Sequence, residues 1–231
     1  MKPSIVLVHG AFSDGSSWNA VIPILEKDGF TVTAVQNPLR SLAEDVATTK
    51  RVIEAQKGDV VLVGHSYAGA VITDAAAGSS KVKALVYVAA FAPDVGESVG
   101  GLIEKFPPTD LSSALAPDSA GFLYINRTKF REVFAHDVSE DQTSIMAATQ
   151  KPIAATAFGE PVTTATWKNI PSWYIVCTQD RAANPELERF MAKRIKAQTT
   201  EIKASHVPFI SQPEAVAGVI KAAAVAVQSK A

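Results

Sequence analysis

The feature that most constrains this chain is a run of four apolar residues that leads into a glycine and a serine. Residues 60–63 read Val-Val-Leu-Val, a composition typical of a strand buried on both faces of a sheet. Gly64, Ser66 and Ala68 follow, and small apolar residues then continue as a helix. A strand, a sharp turn with serine at its tip and a helix form a nucleophile elbow. The common form has glycine at the position of Ala68, and alanine is nearly as small. The sequence therefore predicts that Ser66 stands above the end of a sheet.

The rest of the chain repeats this alternation of apolar strands with helices. Its 231 residues, 47% of them hydrophobic, suffice for one sizeable core. Strands of this kind with helices between them form a parallel sheet covered on both faces, wound by right-handed crossovers. Ligands of such sheets bind beyond the carboxyl ends of the strands, where Ser66 is expected. The predicted strands lie at residues 5–8, 31–35, 60–63, 83–88, 172–177 and 199–203.

The alternation is interrupted between residues 95 and 166. Five prolines break this segment, and it contains two predicted helices, at 128–135 and from a Ser139 cap to about residue 149. We therefore predict a core of residues 1–94 and 167–231 and a helical cap, or lid, of residues 95–166. Aromatic side chains are concentrated in this cap, and we expect most of them to form its own core. Phe122 and Phe158 are the two expected to line a substrate pocket.

Charge and cysteine content exclude several classes of protein. The formal net charge of −1 gives no basic excess for nucleic-acid binding. A single cysteine, Cys177, excludes an internal disulfide and a zinc site built from several cysteines, and we expect it to be a buried small residue. The sequence contains no signal-peptide pattern and no apolar run of membrane length, so we expect a cytoplasmic protein that does not enter membranes.

A nucleophilic serine needs a base, usually histidine, and the chain has four histidines. His9 follows the first strand, His65 adjoins Ser66 with its side chain directed away, and His136 lies in the predicted cap. His206 follows the last strand, on a loop at the carboxyl end of the sheet. We therefore predict His206 as the base.

The histidine in turn needs an acid, and the order serine, acid, histidine directs attention to the strand before His206. Asp180 follows the strand at 172–177 and is the first choice. Asp94, after the preceding strand, is the alternative, with a turn residue as its simpler interpretation. The remaining aspartates of the predicted cap are interpreted as surface charges: Asp110, Asp118, Asp137 and Asp141.

Two backbone N–H groups should stabilise the oxyanion formed in acyl transfer. One belongs to Tyr67, the residue after the serine, and the other to the loop after the first strand. Ala11 is the best candidate in that loop and Phe12 the next, and Phe12 is also expected to contact the substrate. The same loop resembles a phosphate-binding loop, but Ser16 stands where the essential lysine would be, so we reject phosphate binding.

Several stretches together resemble one family: His9-Gly10-Ala11-Phe12, Gly64-His65-Ser66-Tyr67-Ala68-Gly69, Pro171-Ser172-Trp173-Tyr174, Asp180-Arg181 and Ser205-His206. The chain resembles the α/β-hydrolases, close to small bacterial esterases and to the plant salicylate-binding methylesterase and hydroxynitrile lyase group. The resemblance implies an α/β-hydrolase fold with about six mostly parallel, doubly wound strands and a cap insertion. It implies a triad of Ser66, Asp180 and His206.

The resemblance leaves more than one activity open. Hydroxynitrile lyases of this group carry threonine beside the His-Gly pair and lysine directly after the catalytic histidine, where this chain has Ala11 and Val207. We therefore favour hydrolysis of small, fairly apolar esters without cofactor or metal. Perhydrolase or haloperoxidase-like activity and a small-molecule receptor on the same fold remain alternatives. The expected partner is a small ester; a homodimer is left open.

Overall fold

The computed structural model describes residues 2–228 of the chain. Its strands are β1 (Ser4–Val8), β2 (Val32–Val35), β3 (Val60–His65), β4 (Val82–Val88), β5 (Leu115–Pro117), β6 (Phe122–Ile125), β7 (Ile153–Ala154), β8 (Ser172–Cys177) and β9 (Gln198–Ile202). All six strands that the sequence predicts are present, and their bounds differ from the prediction by at most two residues.

Eleven α-helices occur among the described residues, and two 3₁₀ turns, Gly15–Trp18 and Thr166–Lys168, accompany them. The helices are α1 (Ile22–Lys27), α2 (Leu42–Ala55), α3 (Ala68–Ala75), α4 (Val99–Ile103), α5 (Asp110–Ala114), α6 (Phe130–Phe134), α7 (Glu140–Thr149), α8 (Ala155–Gly159), α9 (Pro185–Arg194), α10 (Pro208–Ser211) and α11 (Pro213–Val227).

Six of the strands form one parallel sheet in the order β2-β1-β3-β4-β8-β9. The inner strands β3 and β8 are buried along their whole length because helices flank the sheet, with α3 against β3 and α11 against β4 and β8. β3 lies between β1 and β4, so the turn after β3 stands at the middle of the carboxyl edge. The six-stranded α/β-hydrolase sheet predicted from the sequence is confirmed.

Local sequence signals set most of the helix starts. The Ser41 hydroxyl accepts a hydrogen bond from the Glu44 N–H at 3.1 Å, as expected of the capping box before α2. Asn184 caps α9, with Pro185 at its first position. The spacing of Ser211 and Glu214 likewise predicts a capping box for the last helix, and this prediction is wrong. Ser211 ends α10 and donates its hydroxyl to Asp137, while α11 starts at Pro213 without a side-chain cap.

The 95–166 segment contains helices α4 to α8 and also a small antiparallel sheet in the order β5-β6-β7. The sequence predicts helices here and misses these three short strands. The ends of the segment lie side by side, since the Gly96 N–H donates to the Val162 carbonyl and the Val162 N–H donates to the Glu97 carbonyl, each at 3.0 Å. The segment therefore leaves and rejoins the sheet region at one place.

No helix among residues 2–228 is both long enough and apolar enough to cross a membrane.

Candidate active site

The turn between β3 and α3 holds Ser66 in a strained conformation. Its φ is 54°, in the left-handed region that side chains other than glycine rarely adopt. Strand and helix pass so close that a Cβ built on Gly64 would lie 2.7 Å from the Ala68 carbonyl oxygen. The motif therefore needs small residues, because a larger side chain here would collide with the neighbouring backbone. The tight turn places the Ser66 hydroxyl at the carboxyl edge of the sheet, in front of the first turn of α3.

His206 and Asp180 meet at the same edge, on the loops after β9 and β8. The His206 Nδ1–H donates a hydrogen bond to Asp180 Oδ2, and both residues are buried. The other oxygen, Asp180 Oδ1, accepts from the N–H groups of Ala182 at 2.7 Å and Ala183 at 2.9 Å. Because the carboxylate can only accept, Nδ1 carries the imidazole proton and the lone pair is left on Nε2. His206 is thus held in the tautomer required of a base.

His65 holds the backbone of the His206 loop. Its Nε2–H donates to the His206 carbonyl oxygen at 2.8 Å, and its ring packs 4.6 Å from the Phe209 ring. Burial lowers the pKa of His65 well below its ordinary value, and the neighbouring His206 lowers it further, so the ring is neutral. The sequence predicts only that this side chain points away from Ser66. Its contact with the base was missed, although its position beside the serine is a signal for it.

Ser66 and His206 line one cavity of about 260 Å³. Every other described residue that lines it is apolar, and none of them is lysine, arginine, aspartate or glutamate. The walls are formed by Ala11, Phe12, Phe91, Ile103, Leu111, Leu115, Leu123, Phe134, Ala155, Phe158, Ala182 and Ala183. The 95–166 segment supplies about half of this wall.

The loop after β1 approaches the serine closely. A Cβ built on Gly10 would lie 2.9 Å from the Ser66 Cβ, so glycine is required there. Phe12 has a φ of 61°, which turns the backbone sharply beside the cavity. His9 fixes the start of the loop, since its Nδ1–H donates to the Gly10 carbonyl at 2.9 Å and its Nε2 accepts from the Asn37 N–H at 3.0 Å. Burial lowers the pKa of His9 to about 4, so it performs this role as a neutral ring.

Tyr67 is anchored on the other side of the serine. Its ring is buried, and its hydroxyl donates to the Asp45 carboxylate at 2.9 Å. The same carboxylate accepts from the Leu39 N–H at 2.8 Å, and Leu39 itself has a φ of 60°. Tyr67 also makes an edge-to-face contact with Phe158, with ring centroids 5.7 Å apart. The peptide after Ser66 is therefore fixed from both α2 and the 95–166 segment.

The 95–166 segment also holds the two loops that carry Asp180 and His206. The His136 Nε2–H donates to the Gln179 carbonyl at 2.9 Å. Asp137 Oδ2 accepts from the Ser205 N–H at 2.9 Å and from the Ser211 hydroxyl at 2.8 Å. Partial burial acts to raise the pKa of Asp137, but these hydrogen bonds outweigh it and hold the pKa below its ordinary value. Asp137, which the sequence assigns to the surface, thus contacts the loop of the base.

Two other predicted positions lie away from the site. Asp94, the alternative acid, bonds Lys168, and this hydrogen bond holds the pKa of Asp94 below its ordinary value. Phe122 does not line the cavity; Leu123 does, because neighbouring residues of β6 point to opposite faces. Cys177 is buried in β8, as expected, and burial raises the pKa of its thiol well above the ordinary value.

A parallel sheet that presents a strained serine beside a hydrogen-bonded histidine and aspartate defines the α/β-hydrolase class. Comparison with known proteins agrees, for the model of the alpha/beta hydrolase family matches residues 5–219. The chain belongs to this family. The resemblance drawn from its motifs, including that to plant methylesterases, is confirmed.

Three relatives illustrate the range of similarity. The alpha/beta hydrolase nvfD of Aspergillus novofumigatus is 30% identical over 97% of this chain and 97% of its own length. Methylesterase 17 of Arabidopsis thaliana is 26% identical over 98% of this chain and 93% of its own. The crystal structure of a pyrethroid hydrolase from Sphingobium faniae JZ-2 has a TM-score of 0.83, covering 97% of this chain and 98% of that one at 24% identity, and shares the fold.

Proposed function

We propose that the protein is a serine carboxylesterase that hydrolyses small, uncharged, apolar esters through an acyl-enzyme on Ser66. The observation that carries this proposal is the meeting of Ser66 and His206 in one apolar cavity, with Asp180 bonded to the far nitrogen of His206. The relatives described above add support, since one is named a methylesterase and another a pyrethroid hydrolase.

The proposed reaction follows from where the protons lie. His206 Nε2 takes the proton of the Ser66 hydroxyl as its oxygen attacks the ester carbonyl carbon. Asp180 stabilises the imidazolium and keeps its orientation. The proton then passes to the departing alkoxide, which leaves as an alcohol, and the acyl group stays on Ser66. Water, activated by the same nitrogen, releases the acid and restores the serine.

The negative charge of the tetrahedral intermediate develops on the former carbonyl oxygen. In the proposed site the backbone N–H groups of Ala11 and Tyr67 donate to it, from the loop after β1 and from the start of α3. Rigid donors give more stabilisation than water because they need not reorganise during the reaction. Gly10, His9 and Asp45 contribute by fixing the two peptides, through the contacts described above.

The cavity wall supports the choice of substrate and of reaction. A charged acyl group would find no partner among the described lining residues other than the serine and the histidine, whereas an apolar group gains by leaving water. A lyase would need a cation to stabilise a departing cyanide. Val207 follows His206, and no lysine or arginine belongs to the described wall. Ester hydrolysis is therefore favoured over the lyase reaction.

Replacement of the acid tests this assignment. Asp180→Asn should lower kcat for p-nitrophenyl butyrate by about 10⁴-fold. The Ala182 and Ala183 N–H groups would hold the amide oxygen, so the NH2 group would face Nδ1 and the histidine would adopt the other tautomer. Asp94→Asn is the matched control, since Asp94 follows the neighbouring strand β4 and bonds Lys168. It should retain nearly the full rate. A reversal of these two results would move the acid to Asp94.

A further inference from the structure

A buried glutamate lies directly behind the proposed triad. Glu188 belongs to the inner face of α9, together with Leu187, Met191 and Ala192, and has no exposed surface. A carboxyl group is seldom fully buried unless it is paired, because transfer of its charge from water is costly. The catalytic steps proposed above make no use of Glu188.

Among the described residues, one of the two Glu188 oxygens has a hydrogen-bond donor. Glu188 Oε2 accepts from the Cys177 N–H at 2.9 Å, whereas Oε1 is buried and no N–H or hydroxyl group of residues 2–228 donates to it. The Asp180 carboxyl group lies within hydrogen-bonding reach of the Glu188 carboxyl group. Its own oxygens already accept from the N–H groups of its loop and from His206. Two carboxyl groups this close, with no cation of a described residue bonded to either, favour a proton on one of them.

Among the other titratable groups nearby, the charge of Arg189 acts to lower the pKa of Glu188, but it ranks behind burial and Asp180. Glu188 is faced from β8 by the Tyr174 and Cys177 side chains, both of which burial keeps neutral by raising their pKa. Asp137, in the 95–166 segment, adds negative charge near Cys177. Arg189, next in α9, is bound at the surface to Glu186 and Glu201. Burial first, and the charge of Asp180 second, raise the pKa of Glu188 well above its ordinary value, so its carboxyl is neutral.

We propose that Glu188 is a positioning residue for the triad: its neutral carboxyl group donates a hydrogen bond from Oε1 to the Asp180 carboxylate, which orients His206. This inference rests on the proposed function of Ser66, Asp180 and His206. The bond adds a fourth donor to a carboxylate that already accepts from Ala182, Ala183 and His206, and it therefore helps to fix the orientation of Asp180.

The central experiment compares two replacements of this carboxyl. Glu188→Gln keeps a donor toward Asp180 and an acceptor for the Cys177 N–H, so it should retain kcat within about threefold. Glu188→Leu fills similar volume without a donor. It should lower kcat about 10- to 100-fold with little change in KM, the effect of one lost hydrogen bond to a charged group. Met191→Ala, on the same buried face, is the matched control and should lower stability without lowering kcat.

The outcomes separate this proposal from the proposed function. If Asp180→Asn keeps its activity, the triad assignment fails. If Asp180→Asn loses activity while Glu188→Leu keeps the wild-type kcat, or if Glu188→Gln is as impaired as Glu188→Leu, only the role of Glu188 is overturned. Infrared spectroscopy gives a readout that needs no active variant. The wild type should show the C=O band of a protonated buried carboxyl near neutral pH, and Glu188→Gln should lack it. No such band in the wild type would also overturn the proposal.

Discussion

Asp45 offers a prediction whose size follows from the structure. The residue is fully buried on α2, and its carboxylate accepts from Tyr67 and Leu39. Burial raises its pKa from the ordinary 3.8 to about 6, even though both hydrogen bonds and the charge of Lys151 act to lower it. The perturbation is Asp45→Asn, which keeps an acceptor for the Leu39 N–H and has no charge to bury.

The direction in which stability changes with pH follows from the number of protons that Asp45 binds in the folded and in the unfolded state. Between pH 3.8 and about 6 the folded chain keeps a proton that the unfolded chain has released, so its stability falls as the pH rises. The protonated form gives its full contribution below pH 3.8, and this contribution is lost once the pH passes about 6. The two pKa values correspond to about 3 kcal/mol in the free energy of unfolding. The Asp45→Asn variant has no carboxyl group at this position, so its free energy of unfolding does not show this loss.

Urea unfolding followed by circular dichroism, from about pH 4 to about pH 8, measures the effect. The unfolding free energy of Asp45→Asn minus that of the wild type should increase by about 3 kcal/mol across this range and level off at neutral pH. Glu26→Gln, at an exposed position of α1, is the control and should give a nearly constant difference. A difference for Asp45→Asn that does not vary with pH would refute the reasoning.

Two further predictions concern the 95–166 segment. Phe158→Ala and Leu123→Ala should each change the discrimination between acetate and octanoate p-nitrophenyl esters by about 1–3 kcal/mol in kcat/KM, while Phe122→Ala, outside the cavity, should leave it unchanged. Equal ratios in all three variants would exclude the segment from the acyl pocket. Asp137→Ala should lower kcat about tenfold because the N–H before the base loses its acceptor, and Asp137→Asn should restore most of it. Ser211→Ala removes only the other hydrogen bond, so a loss as large there would contradict this explanation.

The sheet and the serine turn were predictable because short-range patterns determine them. Apolar runs bounded by turn residues identify the inner strands, and the spacing of Gly64, Ser66 and Ala68 is typical of a tight strand-to-helix turn. The positions of Asp180 and His206 after their strands then follow from a general property of parallel sheets, whose carboxyl ends share one edge. The motif around Ser66 and the topology of the sheet therefore predict the same location for the site, and both can be derived from the sequence.

The remainder depends on contacts between distant parts of the chain. Residues 122 and 123 are both apolar, and only the register of β6 on β7 decides which faces the cavity. Ser211 has the spacing of a helix cap, but tertiary contact with Asp137 takes its hydroxyl instead. The position of Glu188 is visible in the sequence, because the residue lies on the apolar face of α9, three residues before Met191 and four before Ala192. A charged residue at such a position indicates a buried polar contact, but not its partner.

The proposed esterase activity depends most directly on the identity of the nucleophile. Incubation with a fluorophosphonate, followed by peptide mass spectrometry, identifies the residue that is modified. We expect one adduct, on Ser66, that abolishes ester hydrolysis in proportion to labelling. Ser66→Ala should keep its circular dichroism spectrum, take up no label and lose roughly 10⁴- to 10⁶-fold in rate. An adduct on another residue, or an alanine variant that still hydrolyses esters at the wild-type rate, would contradict the assignment of Ser66.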